Sequence, residues 1–305
     1  MTFGRRVAQT VLALVLVVSL TSCTQKSSSV SYISTAESAS ITATESPKYS
    51  RVIAIANGSA EIISALGHKS ILIGRDIAST DKDLKDIEIV TSGHQVIAET
   101  IIAKKPDLLL IDASSGPTQA LSTLRKSGIT IVTIPESWSV GDIEAKITAV
   151  AQAIGTPEDG LRLAREMAGK KGAIKQVPAG TRIAFLYLRG GSAIYLIGGK
   201  GSGADSLISS IGAIDVGAQS LKNPYNPLTA EAFIALNPDV ILVMSKGLES
   251  VGGVDGLVAL PGIAQTSAGK SRRVLAVDDS LLLSFGPRTP DLITQMASQV
   301  AKLVA

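Results

Sequence analysis

One segment of this chain is written twice. Ala98-Glu99-x-x-Ile102-Ala103-x-x-Pro106-Asp107-x-x-Leu110 returns at a constant offset as Ala230-Glu231-x-x-Ile234-Ala235-x-x-Pro238-Asp239-x-x-Leu242. Each copy reads as a short helix, a Pro-Asp break and a buried strand. Pro cannot continue a helix, and it pushes the residue before it toward extended backbone. A near-continuous apolar run after the break suits a parallel strand covered on both faces. The ordinary grammar of an αβ unit accounts for the Pro and the apolar positions. The shared Glu at the second helical position is also favoured by the helix dipole. The repeat therefore predicts two α/β lobes, one a duplicate of the other.

The remaining texture supports that division. Residues 51–56, 71–74, 87–90, 107–112 and 129–134 are short apolar runs, with helical spacing at 60–66, 98–105 and 117–127. This βαβ rhythm predicts an N-terminal lobe over 51–138. Residues 139–177 are helical in pattern almost throughout, and Pro157 suits the first turn of a second helical segment. A C-terminal lobe follows over 178–305, with strands at 182–188, 193–197, 240–244 and 273–277. Helices are expected there at 202–211, 230–236 and 289–304. The expected fold class is α/β: two Rossmann-like lobes joined by one long rigid helix.

The first 50 residues read differently. Arg5 and Arg6 precede an apolar stretch at 11–20 that is short for a membrane span. Leu20-Thr21-Ser22-Cys23 then reads as a bacterial lipobox, with Cys23 supplying the sulfur for a lipid thioether. Cys23 is the only Cys in the chain, which also excludes an intramolecular disulfide and Cys-based metal sites. Residues 1–22 are thus expected to be a lipoprotein signal peptide. From 24 to 50, 13 of 27 residues are Ser or Thr without apolar periodicity. That composition predicts that 23–50 is a lipidated Cys on a flexible tether.

Composition narrows the function. The chain is 45% hydrophobic, which excludes global disorder. Its net charge of +3 includes the two signal-peptide Arg, so the mature chain is nearly neutral and nucleic acid is not an expected partner. Aromatics at 3% leave no platform for stacked bases. No GxSxG, HExxH, P-loop or GxGxxG motif appears, so an enzyme is not expected. Gly198-Gly199-Lys200-Gly201-Ser202 lacks the first Gly of a Walker A loop and reads as a turn before a helix.

Signal, lipobox, Ser-rich segment, lobe, helix and lobe together resemble a substrate-binding protein of an ABC importer. The class is the one with a rigid connecting helix, used for haem, cobalamin and siderophores. Several stretches are similar to the haem-binding lipoproteins of the HmuT group. They are Asn57-Gly58-Ser59-Ala60-Glu61-Ile62, Ala65-Leu66-Gly67, Gly247-Leu248-Glu249-Ser250-Val251-Gly252-Gly253, Leu260-Pro261-Gly262 and Phe285-Gly286-Pro287-Arg288. The resemblance spans 51–305 and implies an extracytoplasmic monomer on a lipid anchor. Its place would be the outer face of a Gram-positive membrane, or the periplasmic side in a Gram-negative cell.

A haem carrier needs a cleft, axial ligands and cations for two propionates. His68 follows Gly67 at a helix end, where a His suits the dipole and faces solvent. His94 sits in a βα loop, the edge of an α/β lobe where ligands bind; a plain surface His is the other reading. Tyr187 and Arg189 are two apart on a strand and share a face. Ferric iron and a guanidinium both favour a phenolate, so Tyr-x-Arg at a strand end suits ferric iron. A rim Tyr beside a salt-bridged Arg is the alternative. The family resemblance implies His94 and Tyr187 as the two axial ligands. It also places Tyr225 and Met244 in the pocket, though each is equally well read as ordinary packing. Tyr195 is a weaker pocket candidate. Arg75, Arg189 and Arg288 are the candidate propionate cations, and only Arg189 has positional support. Glu99 and Glu231, one per lobe, are implied to dock onto the two-fold permease, with helix-dipole stabilisation as the plainer account and Glu61 as a substitute.

The expected function is capture of haem and delivery to a haem ABC permease. A ferric-siderophore or cobalamin carrier of the same class is the nearest alternative. An extracytoplasmic haem-handling enzyme is the alternative of another class.

Overall fold

A computed structural model of the chain describes residues 30–92, 95–171, 175–192 and 194–305. Cys23 and His94 lie outside the described residues.

The first described strand, β1 (Val30–Ile33), belongs to the C-terminal lobe. The N-terminal lobe holds β2 (Val52–Ala54), β3 (Leu72–Arg75), β4 (Thr91–Ser92), β5 (Gln95–Val96), β6 (Leu108–Ile111) and β7 (Thr130–Thr133). Four of these form a parallel sheet in the order β3-β2-β6-β7, while β4 and β5 make a separate antiparallel ladder. The strand expected at 87–90 is reduced to a single bridge between Arg75 and Ile89. The C-terminal lobe adds β8 (Arg182–Arg189), β9 (Ile194–Gly198), β10 (Ile214–Asp215), β11 (Tyr225–Pro227), β12 (Val240–Met244) and β13 (Val274–Val277). Its sheet runs β1-β13-β12-β8-β9-β11, with β10 against β8. β9 runs antiparallel to both of its neighbours, β8 and β11.

The repeated Pro-Asp now has a physical reason. Asp107 accepts from the amides of Ser50 at 2.8 Å and Arg51 at 3.0 Å, so it pins the start of the neighbouring β2. Asp239 accepts from the Arg182 amide at 3.0 Å and pins the start of β8. In both lobes the Arg at that strand start closes the preceding helix. Arg51 donates to the carbonyls of Lys104 and Lys105, and Arg182 donates to the Leu236 carbonyl at 2.8 Å. A cation there also suits the helix dipole. The duplicated unit is thus helix, Asp and a partner Arg on the adjacent strand.

Two expectations need correction. The single connecting helix over 139–177 is a hairpin of two helices, Ile143–Ile154 and Pro157–Lys171. Gly155 takes the left-handed conformation at the end of the first, and Pro157 opens the second without needing a helical N–H donor partner. The second helix folds back on the first so closely that a Cβ on Gly160 would lie 2.5 Å from the Ala151 Cβ. The tether expected over 23–50 is not loose from residue 30 onward. β1 pairs with β13, and the chain then crosses to the N-terminal lobe. It is held by Glu37 N to Asp291 (2.8 Å), Ala39 N to Pro287 O (2.9 Å) and Ile41 N to Ala65 O (2.9 Å). Ser and Thr composition hid this strap because its partners are distant in sequence. Its few apolar anchors, Ile33 and Ala39, are each 1% exposed.

The two lobes share one core. Ile62, Leu66 and Ile147 from the N-terminal side pack in the same cluster as Val277, Phe285 and Ile293 from the C-terminal side. Among the described residues no helix is long and apolar enough to cross a membrane.

Candidate functional site

The parallel strands of both lobes end toward the junction between them, where open α/β sheets bind ligands. β8 alternates. Ala184, Leu186 and Leu188 face one cluster, while Ile183, Phe185 and Tyr187 face the core shared by the lobes. Parallel register places Val243 beside Leu186, so Met244 stands beside Tyr187 on that inner face. Met244 is 4% exposed, and Tyr187 is half-buried.

Tyr225 reaches the same spot from β11. Its ring meets that of Tyr187 edge-on, with centroids 5.5 Å apart at 68°. Its hydroxyl donates to the Ser202 carbonyl at 3.2 Å. Burial, with Tyr187 and Asp205 nearby, pushes the Tyr225 phenol up to about 12. Tyr225 therefore stays a protonated donor. The Arg189 guanidinium lies 4.7 Å from the centre of the Tyr187 ring. Arg189 also donates to the Leu188 carbonyl at 3.0 Å and sits 3.6 Å from Asp279. The structure thus brings together Tyr187, Arg189, Tyr225 and Met244. A cation over an aromatic face next to a second phenol makes a wall suited to a flat, anionic or metal-bearing ligand.

The other candidates separate. Tyr195 packs on the opposite face of the sheet, as alternation along β9 requires. Arg75 is buried and spends its donors on the carbonyls of Leu84, Ile87, Asp76 and Ser79. Arg288 is 5% exposed and paired with Glu61, so neither is free for a ligand or a partner. His68 is not solvent-facing: it is 5% exposed and lies 3.3 Å from Asp159. The reason is the strap and the helix 157–171 that cover it, neither visible from a helix-end position. Glu99 and Glu231 are both exposed, each in the first turn of its helix. The Gly-rich turn at 198–203 is closed by Asp205, which accepts from Gly201 N at 2.8 Å and Gly203 N at 3.0 Å. Those amides are not offered to a phosphate.

Two residues at the junction were not singled out from the sequence. Trp138 is 47% exposed on the loop after β7, donates to Glu136, and is followed by Val140, whose amide reaches Ser206 across the junction. Asp279 was missed because its partner Arg189 is remote in sequence. The lone Trp was the available signal for the first; nothing flagged the second. Hollows of about 620 and 1040 Å³ lie elsewhere, the first lined by Gln95, Val96 and Glu99, the second by the strap and Asp81. Neither is lined by Tyr187. Among the described residues no three His, Cys, Asp or Glu converge as a metal cage.

This architecture is that of a two-lobe binding protein. A periplasmic binding protein family model matches residues 52–281, and the chain belongs to that family. It is similar to the solved haem-binding protein HmuT, at 31% identity and a TM-score of 0.80, covering 90% of this chain and 98% of that one. An uncharacterised ABC transporter substrate-binding lipoprotein of Bacillus subtilis (strain 168), YvrC, is 25% identical over 279 residues, 88% of this chain and 84% of the relative. A vitamin B12-binding protein of Vibrio cholerae is 23% identical over 251 residues, 81% of this chain and 88% of the relative.

Proposed function

We propose that this chain is the substrate-binding lipoprotein of an ABC importer, that its cargo is haem, and that Tyr187 is an axial ligand. The carrying observation is the Tyr187–Arg189 pair. A half-buried phenol lies under a guanidinium at the cleft end of a central strand, with Tyr225 and Met244 beside it. Tyr is one of the side chains that hold haem iron axially. Tyr225, held protonated on Ser202, serves as wall and donor. The likeness to HmuT supports haem over cobalamin. Solved variants of HmuT replace a His, a Tyr, and an Arg two positions after that Tyr, which is the spacing found here.

His94, between β4 and β5 in sequence, is assigned the second axial position on the family resemblance. Cys23 is assigned the lipid, which would hold the carrier on the extracytoplasmic face of the membrane. Glu99 and Glu231 are assigned to the permease, one lobe to each subunit. Nothing in this reading requires chemistry on the cargo.

The test is an absorption titration of the chain from Thr24 with ferric haem, beside His94→Ala and Tyr187→Ala, with cobalamin as the competing cargo. The expected result is a saturable, shifted Soret band whose shape changes in both variants. Only the broad spectrum of adsorbed haem, with saturable cobalamin binding, would replace haem by cobalamin.

A further inference from the structure

The Arg189 guanidinium is shared between the Tyr187 ring and the carboxylate of Asp279, which is itself hydrogen-bonded to the backbone. Asp279 follows β13, and its Oδ1 accepts from the Lys246 backbone N–H at 3.0 Å. Its Oδ2 lies 3.6 Å from Arg189 Nη2, long for an ion pair. The Arg189 side chain is 37% exposed and that of Asp279 17%. Neighbouring Asp278 is not a rival, because it accepts from Ser280 N and Oγ. Partly exposed, loosely made pairs of this kind contribute little on their own. A carboxylate that meets a guanidinium squarely, in bidentate fashion, is the stronger partner.

We propose that Asp279 is a specificity-determining residue of the cleft. The Asp279 carboxylate holds the place on Arg189 that a ligand carboxylate takes over. The guanidinium keeps its position over Tyr187 and trades partners. A ligand without an anionic group must leave the Asp279 pair intact and gains nothing from Arg189. A ligand with one exchanges a long contact for a short one. The pair therefore sorts acidic from neutral ligands of the same shape. The proposal rests on the reading of the Tyr187 wall as the ligand site, and names the group of the ligand that is read there.

The experiment compares ferric protoporphyrin with its dimethyl ester, each in the same detergent, on the chain from Thr24. The described elements are all retained in that chain. Asp279→Asn keeps an oxygen for the Lys246 amide and removes the competing charge. It is expected to tighten the diacid about 2–5-fold, the range of an exposed ion pair, and to leave the diester unchanged. Arg189→Ala is expected to weaken the diacid and to make Asp279→Asn silent. An Asp279→Asn effect equal on diacid and diester, or one that persists with Arg189→Ala, overturns the proposal. If the wild-type chain binds neither porphyrin, the haem reading fails, and the pair is judged on the ligand-free protein with phenylglyoxal. Mass mapping should then show Arg189 modified at least about twice as fast in Asp279→Asn, since a looser partner frees the guanidinium. An unchanged rate rejects the role of Asp279.

Discussion

Glu61 of the N-terminal lobe grips Arg288 of the C-terminal lobe along one edge of the guanidinium with both carboxylate oxygens. Arg288 Nε is 3.1 Å from Glu61 Oε2, and Nη2 meets Oε1. The carboxylate is 1% exposed and the arginine 5%. Beside them Lys146 donates to the carbonyls of Ser284 (2.9 Å) and Phe285 (3.4 Å), again across the junction. Three charged side chains are thus taken out of water where the lobes meet. Together with the shared apolar core they tie the two lobes to each other at the junction.

Removing one partner of a buried pair leaves the other charge uncompensated. Arg288→Ala should therefore destabilise the protein by about 3–5 kcal/mol. Arg288→Met together with Glu61→Leu should recover much of that loss. Urea unfolding of the three chains measures it. A loss below about 1 kcal/mol for Arg288→Ala would mean that Glu61 escapes the cost of an unpaired buried charge by taking up a proton or water.

The same cluster sets a pH dependence. Burial pushes Glu61 up from 4.5 to about 7, against the pull of Arg288. An acid whose folded value is raised favours the folded state at low pH. Between about 4.5 and 7 the unfolded chain gives up a proton that the folded chain keeps, so stability falls as pH rises through that window. Burial lowers Lys146 from 10.5 to about 8, so its penalty is complete below 8 and is relieved as pH rises toward 10.5. The two windows predict a shallow stability minimum near pH 7–8. Denaturant midpoints across pH 5–10 should show the fall below 7, and Glu61→Gln should flatten it.

Asp159 fastens the strap. Burial alone would raise its carboxyl, but hydrogen bonds from Thr44 and Arg162 and from the Glu45 and Thr44 amides hold it well below the usual carboxylate range. Its depressed value stabilises the fold above the ordinary Asp value, and that contribution is lost only in strong acid. In Asp159→Ala the strap over 40–48 should become the first site of limited proteolysis, with a loss of stability of a few kcal/mol. Unchanged cleavage kinetics would show that Ala39 and Ile41 hold the strap without it.

Binding and delivery should separate. Glu99→Ala with Glu231→Ala should leave the haem affinity of the isolated protein within about 2-fold, because both side chains are exposed and neither belongs to the Tyr187–Arg189–Tyr225–Met244 cluster. Uptake through the intact importer should fall steeply. Uptake that survives the double substitution would remove these residues from the docking role.

Much of this protein follows from the order of its residues. The two copies of the helix–Pro-Asp–strand unit fixed a two-lobe α/β chain, because apolar runs and Pro breaks act locally. The boundaries of β12 and of the helices Ala230–Leu236 and Thr289–Val304 agree with the residues expected for them. The pairing of Tyr187 with Arg189 was legible too, since a strand places alternate residues on one face. What depended on partners far along the chain was not legible. The Ser- and Thr-rich segment could not reveal that Asp159, Pro287 and β13 wait for it. His68 could not reveal that a helix ninety residues on would bury it. Gly155 and Pro157 were visible, but only packing of Gly160 on Ala151 decided that the helices fold back rather than run on. Local periodicity sets which elements form. The tertiary structure alone decides which polar groups lose their water, and so which of Glu61, Arg288, Asp279 and Arg189 are fastened to one another and which remain free to meet a ligand.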